Sequence, residues 1–346
     1  MSTADAVAGV LWVGVTLYAV FGGADFGAGF WTLVAGRDER GKRARDLIDW
    51  AIGAVWEANH VWLIFVLVIL WTAFSVAFAS IMSTLFIPLS LAAFGIVLRG
   101  SGFAFHRPAR RAKGRRLAEE LFSVSSLLTP FFMGTVVGAV ASGRVPVGNA
   151  EGDPITSWLN PVSLVIGALF VATGTYLAAV FLVSDARRAG VPDLERYFST
   201  RALVAGLAAG AIALAGILVL RADARYVYDG LTSDALPLVI FSGACGLAVL
   251  ALLFRGYRRW VRPLAVGAVV AIVWGWGVAQ FPYLLPETLT IKDGAGASET
   301  LNAVLIVFGV AVVLVLPAFG LLYTLSQRSV LEPEAQAPGP GRTPEG

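Results

Sequence analysis

The chain has 346 residues, of which 57% are apolar and only 14% charged. Its mean hydropathy is +0.76. A soluble domain carries about 25% charge and cannot hide this much apolar surface, so the excess faces lipid, which excludes a soluble enzyme, a disordered chain and a secreted disulfide scaffold. The formal charge of +3 reflects basic loops on one membrane face and not a nucleic-acid partner. The single cysteine, Cys245, excludes an intrachain disulfide and a cysteine-cluster metal site.

A spanning helix needs about 20 mostly apolar residues. Nine stretches meet that length, near 6–36, 49–74, 80–104, 118–142, 160–183, 201–220, 235–254, 261–280 and 300–325. All are too long for barrel strands. The first has no basic leader and is rich in glycine and aromatics, so it is not read as a signal peptide. Of the 26 Lys and Arg residues, 21 fall in alternate loops and the tail, four in the opposite loops, and Arg99 within the third stretch. The positive-inside rule then puts the N-terminus outside and the C-terminus in the cytoplasm. Residues 1–330 are expected to form one polytopic membrane domain. Residues 331–346, rich in Pro and Gly, are expected to be a disordered cytoplasmic tail. Trp158 and the FPYLLPE segment at 281–287 suit the interface.

Ionisable groups at membrane depth are costly and mark function by default. The first stretch carries Asp25 within FGGADFGAGF, among Gly22, Gly23, Gly27 and Gly29. Gly23 and Gly27 make a GxxxG, which lets a neighbouring helix approach closely. The second stretch holds Trp56, Glu57, Asn59 and His60 in WEANHVW. Glu57 and His60 are three apart and share a helix face. Asp25 and Glu57 lie at similar depth in adjacent stretches, so with His60 they are candidates for a cytoplasmic proton inlet. A polar network that only fixes helix register is the plainer alternative. Arg99 either pairs with Asp25 or Glu57, or snorkels to the inner interface.

His60 and His106 differ too much in expected depth to grip one haem. Met82 and Met133 read as core filling. A haem held by this chain alone is not expected, and no metal site is. No nucleotide-binding or zinc-protease motif appears.

Several segments together carry a resemblance: GADFGAGF at 23–30, WEANHVWL at 56–63, PLSLAAFGIVLRGSGFAF at 88–105, WLNPVSL at 158–164 and PYLLPETLTIKDGAGASETLNAVL at 282–305. The chain resembles subunit II of the cytochrome bd quinol oxidases through its whole membrane part. The resemblance implies two four-helix bundles plus one peripheral helix, in a prokaryotic cytoplasmic membrane. It implies a haem-bearing subunit I as partner, small single-helix subunits, and membrane lipids around the complex. Haem b and haem d would sit in the partner, which oxidises quinol and reduces oxygen to water. This chain would carry no haem, with a structural quinone as an option. Its acidic residues, matching Asp25 and Glu57, would supply part of a proton route.

The sequence departs from that family in places. Glu57 and Ala58 stand where the family has Asp and Gly, and His60 occupies the variable position. Gly22 and Ala104 stand where acidic residues are common. The proton route is therefore thinner, and His60 is a substitute relay. Trp56, Asn59 and Arg99 are read as supporting groups. The alternative is a proton- or ion-coupled secondary transporter, which predicts matched discontinuous helices and a midplane site. A purely structural scaffold is a third reading.

Overall fold

The computed structural model describes residues 2–36, 38–53, 56–106 and 112–327; the side chains at 52, 53, 56–58, 102–106, 112–120, 316, 319, 320 and 322–327 fall outside that description. The tail 331–346 lies outside the described residues.

The first predicted stretch is one long rod. Helix α1 (Thr3–Leu17) runs through a π-helical turn (Tyr18–Gly22) into α2 (Gly23–Val34). Ser2 and Asp5 close a capping box at its start. A basic loop was expected next. Instead, α3 (Glu39–Gly53) forms. Asp38 opens it by accepting a hydrogen bond from the Gly41 amide, 2.9 Å. Ala44, Leu47 and Ile48 recur at helical spacing and are fully buried against the end of the core. The charged residues around them hid this amphipathic stripe in the composition.

The second stretch becomes α4 (Trp56–Ala73), which breaks at Phe74. There the chain turns by 118° into α5 (Ser75–Thr84). The break leaves the Ala73 carbonyl free of the helix ladder, and the distant Gly296 amide donates to it at 2.8 Å. Ser80 and Ser83 of α5 accept from the Gly148 and Ala150 amides, 3.0 and 2.8 Å. The third stretch, expected from 80, therefore starts later, as α6 (Phe86–His106).

The remaining helices are α7 (Ala112–Ala141), α8 (Pro161–Arg188), α9 (Pro192–Asp223), the short α10 (Arg225–Thr232), α11 (Leu236–Phe254), α12 (Val261–Gln280) and α13 (Ser298–Gln327). A small antiparallel hairpin, β1 (Tyr283–Leu285) and β2 (Leu289–Thr290), precedes α13. Asn160 caps α8 by accepting from the Ser163 amide at 3.0 Å, with Pro161 following as the first helical residue. Gly190, at φ +67°, turns the chain from α8 into α9.

Seven of the helices are long and apolar enough to cross a membrane, among the described residues. The count becomes eight if the bent pair Asn59–Ala73 and Ser75–Thr84 is one span; the apolar Phe86–Ser101 is shorter.

Small residues set how closely these helices meet. At the α2–α8 crossing, a Cβ on Gly27 would lie 2.0 Å from the Gly174 carbonyl oxygen. One on Gly174 would lie 2.6 Å from that of Gly23. Trp31 seals the same crossing by donating to the Thr175 carbonyl at 2.9 Å. Gly134 meets Gly167 in the same way between α7 and α8. The GxxxG thus packs helices, as the plainer reading of those glycines held. Helix α13 packs only on the outside of α1 and α4, among elements with more than marginal contact.

Three outcomes are expected from this packing and its loops. Gly27→Val forces α2 and α8 apart and should abolish recovery of folded protein by size-exclusion in detergent. Gly246→Ala, whose Cβ would meet nothing within 4 Å, should be neutral or stabilise by about 0.5–1 kcal/mol in the same assay with heating. In the loop after α7, Asp153 accepts from the Thr156 and Ile155 amides at 2.6 and 2.9 Å. Those bonds hold its carboxyl below the usual carboxylate range. A depressed acid stabilises fully above its unfolded value of about 3.9 and loses that contribution as pH falls through the lower folded value. Hydrogen exchange at Ile155 and Thr156 should therefore stay slow at pH 5 and speed up, relative to intrinsic rates, only below about pH 4.

Candidate functional site

Asp25 enters the protein interior in the first turn of α2, directly after the π-helical turn. A π-helical turn closes its hydrogen bonds one residue further along than an α-helix and is frequent at functional sites. Here it begins at Tyr18, whose ring fills the space beside Gly22: a Cβ on Gly22 would lie 2.7 Å from it.

Arg99 of α6 meets Asp25. Its Nη2 lies 2.8 Å from Asp25 Oδ1, and both side chains are only 1% exposed. The same Nη2 donates to the Asp25 backbone carbonyl at 2.9 Å. Nη1 donates to Ser126 Oγ on α7, and that hydroxyl donates on to the Phe122 carbonyl at 2.6 Å. The guanidinium carbon lies 4.1 Å from the Phe122 ring centroid and 5.0 Å from that of Phe26, so aromatic faces cover what the hydrogen bonds leave. Gly29 makes room for this arrangement, because its Cβ would lie 2.0 Å from Ser126 Oγ and 3.0 Å from Arg99 Nη1. Of the two readings of Arg99, pairing with Asp25 is the one that the structure has; the arginine does not snorkel.

The pair is close, yet its geometry is incomplete. The 2.8 Å contact is electrostatic, with the N–H directed at the backbone carbonyl and not at the carboxylate. Neither Asp25 oxygen has a directed hydrogen bond among the described residues, nor do Arg99 Nε and Tyr18 Oη. Tyr18 Oη also lies in the field of both charges. A buried carboxylate with unspent lone pairs is a strong acceptor for a proton or a water.

The other sequence candidates lie on α4. Asn59 is buried and His60 is half-buried. The His60 ring stands edge-on to Phe26 at 5.8 Å, one residue from Asp25. Trp56 and Glu57 belong to the first turn of α4, and their side chains lie outside the described residues. So does that of His106. Cys245 is buried in α11, away from this centre. Among the described residues, no three His, Cys, Asp or Glu side chains gather as a metal site would need.

Tyr18, Ser126 and Gly29 escaped the sequence reading. Tyr18 precedes Asp25 by seven residues, two helical turns on one face, which is a signal of proximity. Ser126 lies in an SVSS run that looked like ordinary polar content in a spanning helix.

Fold and site define a multi-pass helical membrane protein with a desolvated acid–guanidinium pair at its centre. The family described as "Cytochrome bd terminal oxidase subunit II" matches residues 3–326, and the chain belongs to that family. Two relatives from Bacillus subtilis strain 168 are similar. "Putative cytochrome bd menaquinol oxidase subunit II" is 24% identical over 341 residues, covering 92% of this chain and 94% of the relative. "Cytochrome bd ubiquinol oxidase subunit 2" is 30% identical over 121 residues, 35% of each chain. A chain of the bd oxidase from Geobacillus thermodenitrificans superposes with a TM-score of 0.73 at 25% identity, over 94% of this chain and 98% of that one. The protein is thus part of a bd-type, haem-containing oxidoreductase, and a partner subunit is implied.

Removing one member of a buried pair leaves an uncompensated charge, at a cost of about 3–5 kcal/mol. Arg99→Gln should show that loss in thermal unfolding of the purified protein. Asp25→Asn with Arg99→Gln should recover part of it, giving a coupling energy of about 0.5–3 kcal/mol in the double-mutant cycle. Additive single effects would show that the two groups do not interact.

Proposed function

We propose that this chain is the non-haem subunit II of a quinol:oxygen oxidoreductase and that Asp25, Glu57 and His60 carry cytoplasmic protons toward a haem-bearing partner. The observation that carries this reading is the Asp25 carboxylate, buried beside Arg99 with both oxygens short of directed hydrogen bonds. Asp25, whose two carboxylate oxygens have no directed hydrogen bond among the described residues, is the group that takes over a proton arriving from the α4 side. His60 and Glu57, three apart on one helix, are the groups that hand it on. Ser126 and the two phenylalanines hold the guanidinium in place. Trp56 and Asn59 orient the start of α4.

The proposal extends to the setting. Residues 1–330 form one nine-span domain of two four-helix bundles with the last helix peripheral, in a prokaryotic cytoplasmic membrane. The N-terminus is outside and the C-terminus in the cytoplasm. Ion pairs support this sidedness: Arg43–Asp193, Arg258–Glu195 and Arg262–Asp185 tie the basic loops to one end, and Arg144–Asp223 ties loops at the other. Haem b and haem d belong to subunit I, where they supply electron transfer to oxygen. Small single-helix subunits and a structural quinone complete the assembly. Quinol is the substrate of the complex, in keeping with the names of both relatives. The secondary-transporter alternative lacks that support.

The test uses the complex purified from native membranes through a tag on this chain. A reduced-minus-oxidised spectrum should show haem b and haem d, and both should vanish when the partner is stripped away. A haem-free preparation without a partner would overturn the reading. Asp25→Asn and Glu57→Gln should lower quinol-driven oxygen consumption by about 10²-fold while leaving the haem spectrum intact. Unchanged turnover and proton uptake in either variant would remove that residue from the route.

A further inference from the structure

A second feature lies at the basic end of α9, apart from the ion pair. Arg40, Asp193, Arg196, Tyr197, Thr200 and Arg201 line a polar recess of about 340 Å³. Its one carboxylate, Asp193, is already held by Arg43 through two hydrogen bonds of 2.9 and 3.1 Å. Arg40, Arg196 and Arg201 therefore leave the recess strongly positive. Arg201 is fixed in place, its guanidinium carbon 3.2 Å from the Tyr197 ring centroid and 5.9 Å from that of Trp31.

Trp31, beside Arg201, lines a second space. Together with Phe30, Leu127, Phe131, Val204 and Ala208 it lines a cleft of about 650 Å³ whose walls are almost wholly apolar. Arg201, Val204, Ala205, Ala208 and Ile212 follow one another at helical spacing, so one face of α9 runs from the recess into the cleft. Val204 is 63% exposed, so the cleft opens on the outer surface of the helical bundle. The eleven helical steps from Arg201 to Ile212 rise about 16 Å. That is about half of the ~30 Å hydrocarbon thickness, the depth of a single leaflet.

We propose that the recess and the neighbouring cleft together seat one anionic phospholipid, its phosphate against Arg40, Arg196 and Arg201 and an acyl chain in the cleft beside Trp31. Basic pockets between spanning helices recognise such headgroups by charge. Free phosphate would use only the recess. A zwitterionic lipid would bring its own cation against the arginines. The combination of three guanidinium groups without a carboxylate partner among the described residues and a leaflet-deep apolar wall selects a molecule that is anionic at one end and hydrocarbon at the other. The inference stands on the recess and the cleft and not on the proton route.

The experiment uses the protein with its accompanying subunits in nanodiscs of phosphatidylcholine doped with phosphatidylglycerol. Native mass spectrometry then counts retained lipid. The wild type should hold one phosphatidylglycerol in preference to phosphatidylcholine. Arg196→Gln and Arg201→Gln should each weaken retention about fivefold. Ala208→Trp, which fills the cleft and leaves the recess alone, should weaken it as well. Arg201→Lys keeps the charge and should retain the lipid, provided its melting matches the wild type. The proposal is overturned by any of four results: unchanged retention in the glutamine variants, equal retention of phosphatidylcholine, full retention in Ala208→Trp, or loss in Arg201→Lys equal to that in Arg201→Gln.

Discussion

A guanidinium and a carboxylate, each almost fully removed from solvent, hold three helices to one arrangement. Taking two charges out of water carries a penalty of several kcal/mol per ion that their attraction offsets only at short range. Asp25, Arg99 and Ser126 come from α2, α6 and α7, so those three helices must approach to within side-chain contact. Gly29 permits that approach and the Phe26 and Phe122 rings close it off. Any change that spreads these helices leaves a bare charge in an apolar interior, which ties the electrostatics of the site to the packing of the fold.

The small-residue crossings serve the same end from the other side. Gly27 against Gly174 fixes α2 on α8, and Gly134 against Gly167 fixes α7 on α8. With α8 as common support, the two helices that carry Asp25 and Ser126 cannot slide independently. In a bilayer, apolar contacts alone do not favour helix association over contact with lipid. Close backbone approach and the buried polar network together supply the specificity that a hydrophobic core provides in water. The π-helical turn adds a local adjustment, setting the register of Tyr18 and Asp25 within one continuous rod.

Much of this was legible in the sequence. Hydropathy located the apolar helices because lipid demands long apolar runs, and depth singled out Asp25 and Arg99 because charges there are rare. What escaped was whatever composition averages away. Among its described residues helix α3 buries Ala44, Leu47 and Ile48 as its apolar side chains, between charged neighbours, so it read as a loop. The turn at Phe74 has no proline or glycine beside it to announce it. Its conformation, φ −134° and ψ 53°, is set by tertiary contacts: Phe74 is fully buried, and α5 is bonded to the loop after α7. Ser126 looked like any other serine, since a hydroxyl's partner depends on which helix faces it. The pairing of Arg99 was one of several options on the page and needed three dimensions to choose.

The bond from the Gly296 amide to the Ala73 carbonyl joins points 223 residues apart. At a synthesis rate of about 5–20 residues per second, the donor leaves the ribosome roughly 10–45 s after the acceptor. Until then the bend at Phe74 exists, if at all, with that carbonyl satisfied by something else. The hairpin and the loop before α13 thus act as a late clasp, and the elbow between α4 and α5 reaches its final state only when nearly all of the chain has been made.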